Sequence, residues 1–584
     1  MNASQAFKEG FRMSEHIRIR KVLLSSILCL LTLLIVACGG PTPQTNNADQ
    51  EPAPASQQVF RFPIGPEDFR VLDPALSSLI VDNQAIGVIF TGLVALDRNL
   101  NIIDQMAQSH SISSDGITYT FKLKPNLKFS DGTPLKAQDI AYSIDRALSP
   151  AIKSPTASSL DVLKDWDKMI TGKIPTLIGD SLIVKDENTL VFVLAHPASY
   201  FLQSLAGNTT ALPVNKKLID KYGSSWTEHL AEGGGSGPFK VEQYDHNKGL
   251  TLVPNTNYYG PIPKLQKLEM LRSGDTDTTY KSYQATQLDY TPVPRVHLNE
   301  AKNRKDFQHS PELHLNYIML NYLAKPFDNI KIRQAFALAV NKDLIAEKVM
   351  YGSVTPTNHL MPEGLPGLNK NLSGPAGVKS TKGDPAKAKQ LLQEGMQEEG
   401  YASVSQLPPI TFIYYAGSAD LANVVAVVVQ QWQTVLGVTV KSSVVSSDVL
   451  TQQSLNTTGN SGPLQIWLSG LANYPDPQGW LTFDFGKGAS FNFVNYGQNK
   501  SKNAAAQQAV QEELQKADIN LNPQERTQQY NDAEQKIVND VGWISLFQSQ
   551  VLALINPKLR NYPVTPLGFG GFEPDAWGNI YMAK

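Results

Sequence analysis

The sequence has few cysteines, and none of them lies in the part of the chain with globular composition. Only two of the 584 residues are cysteine, Cys29 and Cys38, and both lie near the N-terminus. The rest of the chain therefore contains no disulfide and must be held together by packing. No second apolar run of 18 residues follows the N-terminal one, so the sequence predicts no further membrane-spanning helix.

The chain also lacks an excess of charge of either sign. It contains 51 Lys and Arg residues against 53 Asp and Glu residues, a formal net charge of −2. Binding to nucleic acid or to an anionic membrane surface normally requires a basic surface, and this composition gives no sign of one. We therefore expect no nucleic-acid partner.

Motifs of common enzyme classes are missing as well. The glycine-rich stretch at 234–237 is followed by Pro238, so it cannot form the nucleophile elbow of a hydrolase. No phosphate-binding Gly-x-x-x-x-Gly-Lys-Ser/Thr loop occurs. The nine histidines are scattered singly, without the spacing of metal ligands. We expect no catalytic residues, no cofactor and no metal site.

A short apolar run near the N-terminus has the form of a secretory signal. Residues 22–36 are apolar or small and follow Arg18, Arg20 and Lys21. These fifteen residues are too few for a comfortable transmembrane helix, which needs about 20. Residues 1–37 are therefore predicted to be a signal peptide, and translation is suspected to start at Met13.

Cys38 is the predicted site of lipid attachment. It directly follows Ile35-Val36-Ala37, the pattern of a lipobox, in which the thiol is acylated and the chain is cut before it. Residues 38–58 are rich in Gly, Pro, Gln and Asn and predict a flexible tether with a mean reach of about 25 Å. The alternative is a signal peptide with a chance cysteine. We expect an extracytoplasmic protein, anchored by lipidated Cys38 to the outer face of the cytoplasmic membrane.

From about residue 59 the chain alternates between strand and helix patterns. Alternation with a period of two predicts strands at 118–123, 189–194 and 250–253, and the segment after Gly437 predicts another at 438–445. Helical spacing or capping signals predict helices at 136–148, from 384–385 through 392, at 421–436 and from 522–523 to about 538. These patterns indicate a mixed α/β protein of two or three domains.

Several sequence blocks together resemble one known family. Residues 114–121 lead into Lys128-Phe-Ser-Asp-Gly-Thr-Pro-Leu-Lys-Ala-Gln-Asp139, which is similar to the signature of extracellular solute-binding proteins of family 5, the oligopeptide- and dipeptide-binding proteins of ABC importers. Further blocks occur in family order at 72–74, 237–240, 255–260, 325–342, 522–526 and 579–581. The resemblance covers the chain from about residue 60 to the C-terminus.

The resemblance implies a two-lobed clamp of the periplasmic-binding-protein type II class, with an extra domain inserted in lobe I. Lobe I would comprise residues 59–90, 187–300 and 545–584. The inserted domain would be 91–186 and lobe II 301–544. The chain would cross between the lobes near 300 and 545, and these crossings would form the hinge. Ligand held between the lobes would stabilise the closed form.

The resemblance also implies where the ligand lies. In the peptide-binding relatives an extended ligand pairs with the main chain of both lobes, as an added strand. The matching segment of lobe II runs from 467 to 477, and the matching loop of lobe I is Ser78-Leu79-Ile80. The implied ligand-binding residues are Ser78, Ile80, Trp467, Ser469, Gly470, Leu471, Asn473 and Asp476.

Asn473 departs from the pattern of the peptide binders. Those proteins carry Asp there, and its carboxylate pairs with the α-ammonium of the peptide, whereas an amide is neutral. Loss of this charge-assisted partner would weaken binding by about 2–5 kcal/mol. Trp467 likewise stands where the oligopeptide binder has Arg. A blocked peptide or an uncharged ligand becomes more plausible, unless Asp476 or another carboxylate supplies the charge.

The sequence thus predicts a monomeric lipoprotein that delivers peptides to an ABC permease and its ATPase. On the same fold, stacking on Trp467, Tyr474 and Trp480 would favour an oligosaccharide, and a single histidine in the cleft would favour a metal chelate. A secreted hydrolase would need a nucleophile–base pair or a metal cluster, which no motif supports. A sensory or chaperone role without transport remains the fourth alternative.

Overall fold

The computed structural model describes residues 51–417 and 419–584. The predicted signal peptide, the predicted lipid-attachment residue Cys38 and the tether as far as residue 50 lie outside these residues. Pro52–Ala583 form one compact unit.

The end of the predicted tether is part of this unit. The N–H of Ala53 donates to the carbonyl of Met582 at 2.8 Å. The side-chain amide of Gln58 donates to the carbonyls of Ala53 and Met582 at 2.9 and 2.8 Å. Because these bonds tie the segment to the C-terminal end of the chain, the folded body begins at Pro52, before the predicted boundary at residue 59.

The described residues form nineteen strands. In chain order they are β1 (Val59–Gly65), β2 (Val94–Leu96), β3 (Ile102–Asp104), β4 (Ala107–Ile112), β5 (Thr118–Leu123), β6 (Leu182–Asp186), β7 (Thr189–Val193), β8 (Phe239–Asp245), β9 (Gly249–Pro254), β10 (Lys267–Arg272), β11 (Tyr290–Pro292), β12 (Phe307–Leu320), β13 (Val354–Pro356), β14 (Ile410–Tyr415), β15 (Val440–Val445), β16 (Ile466–Ala472), β17 (Trp543–Ile555), β18 (Leu559–Arg560) and β19 (Tyr581–Met582).

Helices alternate with these strands. The α-helices of the described residues are α1 (Ile80–Ile89), α2 (Ala137–Leu148), α3 (Trp166–Ile170), α4 (Phe201–Gly207), α5 (Lys216–Tyr222), α6 (Thr276–Gln284), α7 (Leu298–Ala301), α8 (Ile330–Leu338), α9 (Lys342–Leu344), α10 (Pro385–Glu398), α11 (Ala419–Leu436), α12 (Ser447–Thr457), α13 (Thr482–Phe485), α14 (Ala504–Ile519) and α15 (Pro523–Asp540). Among the described residues, no helix has both the length and the apolar character that crossing a membrane requires.

The first sheet has the strand order β1-β10-β9-β8. β1 runs parallel to β10, and the other neighbours are antiparallel. Its core joins Phe60 and Phe62 of β1 to Phe569 and Trp577 near the C-terminus. The N-terminal and C-terminal parts of the body therefore share one core.

A small antiparallel sheet has the order β4-β5-β7-β6, with the hairpin β2–β3 beside it in sequence. Ile140 and Ile144 of α2 lie in one core with Phe121 of β5 and Phe192 of β7. The domain boundaries predicted from the sequence assign 189–193 to lobe I. In the structure these residues form β7, which pairs with β5 on one side and β6 on the other within the small sheet.

The largest sheet has the order β11-β17-β12-β16-β14-β15, and β13 also pairs with β17. The long strands β12 and β17 are antiparallel, with a register shift between Pro311 and Leu315. β17 belongs to two cores, because Ile544 packs in the core of the largest sheet while Ala553 packs in the core of the first sheet. β17 is thus one continuous strand that spans the predicted crossing from lobe II to lobe I near residue 545.

The predicted elements are confirmed to within a few residues, and their capping signals act as expected. Asp384 accepts a hydrogen bond from the N–H of Lys387 at the start of α10. The side chain of Asn522 accepts hydrogen bonds from the N–H groups of Gln524 and Glu525 at the start of α15. Gly437 has φ +70°, a left-handed conformation that suits glycine, and it directly follows the last residue of α11.

Candidate ligand-binding site

Strand β16 has different neighbours along its two edges. On one edge all of Ile466–Ala472 pairs antiparallel with β12. On the other edge β14 pairs with it at two positions, Phe412 with Ile466 and Ile413 with Trp467. No strand of the described residues lies along this second edge from 468 to 472. We call residues 466–467 the closed segment of β16 and residues 468–472 its open segment.

The open segment begins where β14 stops pairing with β16, although β14 continues beside β15. β14 stays in register with β15 as far as Tyr415, opposite Val445. Beyond it, the N–H of Ala416 donates to the carbonyl of Val445 at 2.8 Å. An unpaired strand edge presents backbone N–H and C=O groups that can pair with another chain. The open segment can therefore accept an extended ligand as an added strand.

Polar groups of β12 lie against the open segment. A Cβ on Gly470 would come within 2.9 Å of Nε2 of His314 and 3.2 Å of the carbonyl of Leu315, so glycine permits this close approach. Nδ1 of His314 lies within hydrogen-bonding distance, 3.0 Å, of Oγ of Ser549, and Nδ2 of Asn316 donates to the same Oγ at 3.3 Å. Burial lowers the pKa of His314, so its ring is neutral at neutral pH. In the sequence, His314 is one of nine scattered histidines, and no pattern there indicates that it lies against the open segment.

The predicted site residues of β16 divide between core and surface. Trp467 is 1% exposed and belongs to the core that contains Tyr317 and Trp543. Ser469 and Leu471 are half-buried, and Gly470 is exposed. Tyr474 and Trp480, which were expected to offer stacking faces to a sugar together with Trp467, are 8% and 0% exposed. All three rings are packed against protein.

Asn473 uses both polar atoms of its side chain within its own turn. Nδ2 donates to the carbonyl of Gly479 at 2.6 Å, and Oδ1 accepts from the N–H of Tyr474 at 2.9 Å. The residue therefore fixes the turn that follows β16. Each of these two atoms keeps one further hydrogen-bonding position, an N–H on Nδ2 and a lone pair on Oδ1.

Asp476 is paired inside the protein. Its carboxylate is 4% exposed and accepts two hydrogen bonds from the guanidinium of Arg526, at 2.6 and 2.9 Å. It also accepts from the N–H of Gln478 at 2.9 Å. The sequence offered Asp476 as a carboxylate that could replace the charge missing at Asn473. Because the charge of Asp476 is compensated by Arg526, it is not free to pair with the ammonium group of a peptide.

The predicted loop of lobe I projects into solvent. Ser78 is exposed, and Leu79 and Ile80 are 38% and 59% exposed at the start of α1. The chain just before them is anchored, because Asp73 accepts from Arg146 at 2.5 and 3.1 Å. Within the described part of the chain, no hydrogen bond or ion pair joins this loop to β16.

Tyr474 joins the region after β16 to the core of the small sheet. Its Cβ would lie 2.8 Å from a Cβ on Gly207, the last residue of α4, so this helix needs glycine at that contact. Nε1 of Trp480 donates to the carbonyl of Tyr474 at 3.1 Å. This contact between the two regions was not predicted from the sequence, because its partners are more than 250 residues apart.

Several titratable groups near the site are hydrogen-bonded to one another. Within 51–417 and 419–584, no three His, Cys, Asp or Glu side chains are grouped so that they could hold a metal ion. Asp518 accepts hydrogen bonds from Tyr530 and Thr482, and burial raises its pKa to about 7. It lies in the same buried network as Arg526, which contacts Tyr530 at 3.3 Å.

Comparison with protein families gives a match over most of the chain. Residues 101–492 match the model of the bacterial extracellular solute-binding proteins, family 5. This range includes the small sheet, much of the first sheet and the whole of β16.

Individual relatives agree with this match. A dipeptide-binding protein of Bacillus subtilis, DppE, is 26% identical over 555 residues, which cover 94% of this chain and 98% of the relative. The oligopeptide-binding protein OppA of the same organism is 29% identical over 426 residues, 71% of this chain and 76% of the relative. Among solved structures, the oligopeptide-binding protein OppAIV of Borrelia burgdorferi has a TM-score of 0.72 and 25% identity, covering 89% of this chain and 99% of its own.

Proposed function

Since the chain belongs to family 5 of the bacterial extracellular solute-binding proteins, we propose that it binds peptides for an ABC importer and holds them along the open segment of β16. The family consists of binding proteins that act outside the cytoplasm, not of enzymes. The relatives named above bind dipeptides and oligopeptides. The open edge from 468 to 472 is the observation on which the peptide assignment mainly rests.

Main-chain pairing explains how such a protein can accept many peptides. An extended peptide beside the open segment would exchange backbone hydrogen bonds with it, and each such bond contributes about 0.5–1.5 kcal/mol net. These bonds do not depend on the side chains of the peptide. Selectivity would then come from the groups that lie beyond the strand edge.

The proposed clamp consists of lobe I (59–90, 187–300 and 545–584), the inserted domain (91–186) and lobe II (301–544), except that β7 (Thr189–Val193) pairs within the sheet of the inserted domain. β17 would carry the hinge, since its two ends pack in different cores. A ligand that contacts both lobes only in the closed form shifts the equilibrium toward that form, and a shift from 1:99 to 99:1 needs about 5.5 kcal/mol of differential affinity. The contact of Tyr474 with Gly207 would belong to the closed form.

We also propose the cellular setting that the N-terminal sequence indicates. Lipidated Cys38 would hold the monomeric protein at the outer face of the cytoplasmic membrane, close to the permease. The permease and its ATPase would recognise the closed, loaded clamp. Binding of an oligosaccharide is a weaker alternative, because Trp467, Tyr474 and Trp480 are buried. Binding of a metal chelate is the alternative that the position of His314 beside Gly470 favours.

The test is retention of peptides from a defined mixture. The chain without its signal peptide is incubated with a tryptic digest of casein, washed, denatured, and the released molecules are identified by mass spectrometry. We expect retained peptides of varied sequence and limited length. A Leu471→Pro variant, which disturbs the open segment, should retain few of them. Absence of retained peptides from the unmodified protein would contradict the proposal.

A further inference from the structure

Glu312 carries a carboxylate that has no counter-charge. It lies on β12, and no residue that the structure describes donates a hydrogen bond to its side chain or forms an ion pair with it. The side chain is half-buried, and burial raises its pKa because the ionised form is poorly solvated there. An anion in such a place destabilises the protein until a cation reaches it.

The backbone of Glu312 is held firmly although its side chain is not. Its carbonyl accepts from Nε2 of Gln548 at 2.9 Å, and the N–H of the next residue, Leu313, donates to the carbonyl of Pro566 at 2.9 Å. The residue lies within the irregularity of β12 between Pro311 and Leu315. Irregularities of this kind often redirect a side chain beside a binding site.

Glu312 also lies near the open segment of β16. His314, two residues further along β12, is the partner of Ala472 in the ladder, and its ring approaches Gly470. On the other side, Glu312 is near Tyr290 of β11. Burial, and next the charge of Glu312, raise the pKa of the Tyr290 phenol. Glu312 therefore lies on β12 two residues beyond the partner of Ala472, close enough to Tyr290 for its charge to act on that phenol.

Two other carboxylates of this region are buried. Asp476 is paired with Arg526. Asp484 is only 4% exposed, and burial raises its pKa well above the ordinary value, which disfavours the anion. Asn473 is neutral and bonded within its turn. Glu312 is thus the acidic group best placed to meet a positive charge on a ligand.

We propose that Glu312 binds an ammonium group of the ligand and gives the site a preference for peptides that carry one. The proposal rests on the peptide-binding function argued above and identifies the residue that replaces the charge missing at 473. The ammonium can be the α-ammonium of the peptide or the side chain of a lysine. Both have the same chemistry, and the probes below distinguish them.

The test uses four peptides and isothermal titration calorimetry. The peptides are Ala-Ala-Ala-Ala, Ala-Lys-Ala-Ala and the N-acetylated form of each. If the α-ammonium is bound, acetylation of either peptide should weaken binding about 10- to 100-fold. If the lysine is bound, acetylated Ala-Lys-Ala-Ala should exceed acetylated Ala-Ala-Ala-Ala by a similar factor. Equal affinity for all four would overturn the proposal.

Glu312→Gln assigns the effect to the residue. This variant should bind every ammonium-bearing peptide that the unmodified protein prefers about 10- to 100-fold more weakly, and its affinity for acetylated Ala-Ala-Ala-Ala should not change. Glu363→Gln is the matched control, because Glu363 is exposed while its backbone bonds the same Gln548. Equal losses for charged and uncharged peptides would overturn the proposal. Failure of the unmodified protein to bind any peptide would instead contradict the proposed function.

A folding measurement makes the result interpretable. Since Glu312→Gln removes an unpaired and poorly solvated charge, its melting temperature without ligand should equal or exceed that of the unmodified protein. A clearly lower melting temperature would show that the carboxylate has a partner within the protein and would also contradict the proposal.

Discussion

The closed and open segments of β16 belong to one strand but have different surroundings. The closed segment, 466–467, lies between β12 and β14 and is buried. The open segment, 468–472, keeps β12 on one edge, has no described strand on the other, and becomes exposed toward its end. The comparison teaches that one strand can be held on both edges by its first residues and keep one edge without a described strand at its last.

The largest expected effect comes from the closed segment. Trp467→Ala should lower the free energy of unfolding by about 3–5 kcal/mol, because it removes a large buried side chain. Leu471→Ala in the open segment should lower it by about 1–2 kcal/mol, since that side chain is half-buried. Urea unfolding measures both. Equal losses would break the distinction between the segments.

The network that follows the open segment should rank next. Arg526→Met should lower the free energy of unfolding by about 3 kcal/mol, because it leaves the buried carboxylate of Asp476 without its partner. The double variant Asp476→Asn/Arg526→Met is the control and should be more stable than Arg526→Met alone. If the double variant is the less stable of the two, the charge of Asp476 is not compensated by Arg526 as described.

A third change tests whether Asn473 belongs to the turn or to the ligand site. Asn473→Asp should lower the free energy of unfolding by about 2 kcal/mol, because the new carboxylate replaces a donor beside the carbonyl of Gly479. Asn473→Ala should have a smaller effect. Thermal unfolding of the ligand-free variants gives the comparison. An Asn473→Asp variant of unchanged stability that gains affinity for free N-termini would place the residue in the ligand site.

The smallest expected effect concerns the close approach at Gly470. Gly470→Ala should lower the free energy of unfolding by about 1 kcal/mol, since the added methyl group would crowd the ring of His314. Gly87→Ala is the control, because this glycine lies in α1 with open space around its Cβ position. The control should gain up to about 1 kcal/mol. A stabilising effect at Gly470 would contradict the packing described for the open segment.

Much of the fold could be predicted from local sequence. The caps at Asp384 and Asn522, the glycine after α11 and the period-two strands depend on residues close together in the chain, and the structure confirms them. The predicted family and α/β fold class are confirmed by the family match and the solved structures. The segment 467–477 could be singled out only through the resemblance, because its composition is unremarkable.

The details of the site could not be predicted, because they depend on distant parts of the chain. Asp476 is neutralised by Arg526, fifty residues later, and no local pattern indicates this pair. The burial of Trp467 depends on which face of the sheet meets the core. The open edge depends on where β14 stops pairing, and the availability of Glu312 depends on the lack of a described partner from any other strand.

Hydrogen–deuterium exchange along β16 tests the central claim most directly. The amides of 466–472 are followed by mass spectrometry of overlapping fragments, without ligand and with a casein peptide that the protein has retained. We expect slow exchange at 466–467 in both states, and slowing at 468–472 only when the peptide is bound. Peptide binding that leaves the exchange of 468–472 unchanged would contradict the claim that this open edge holds the ligand.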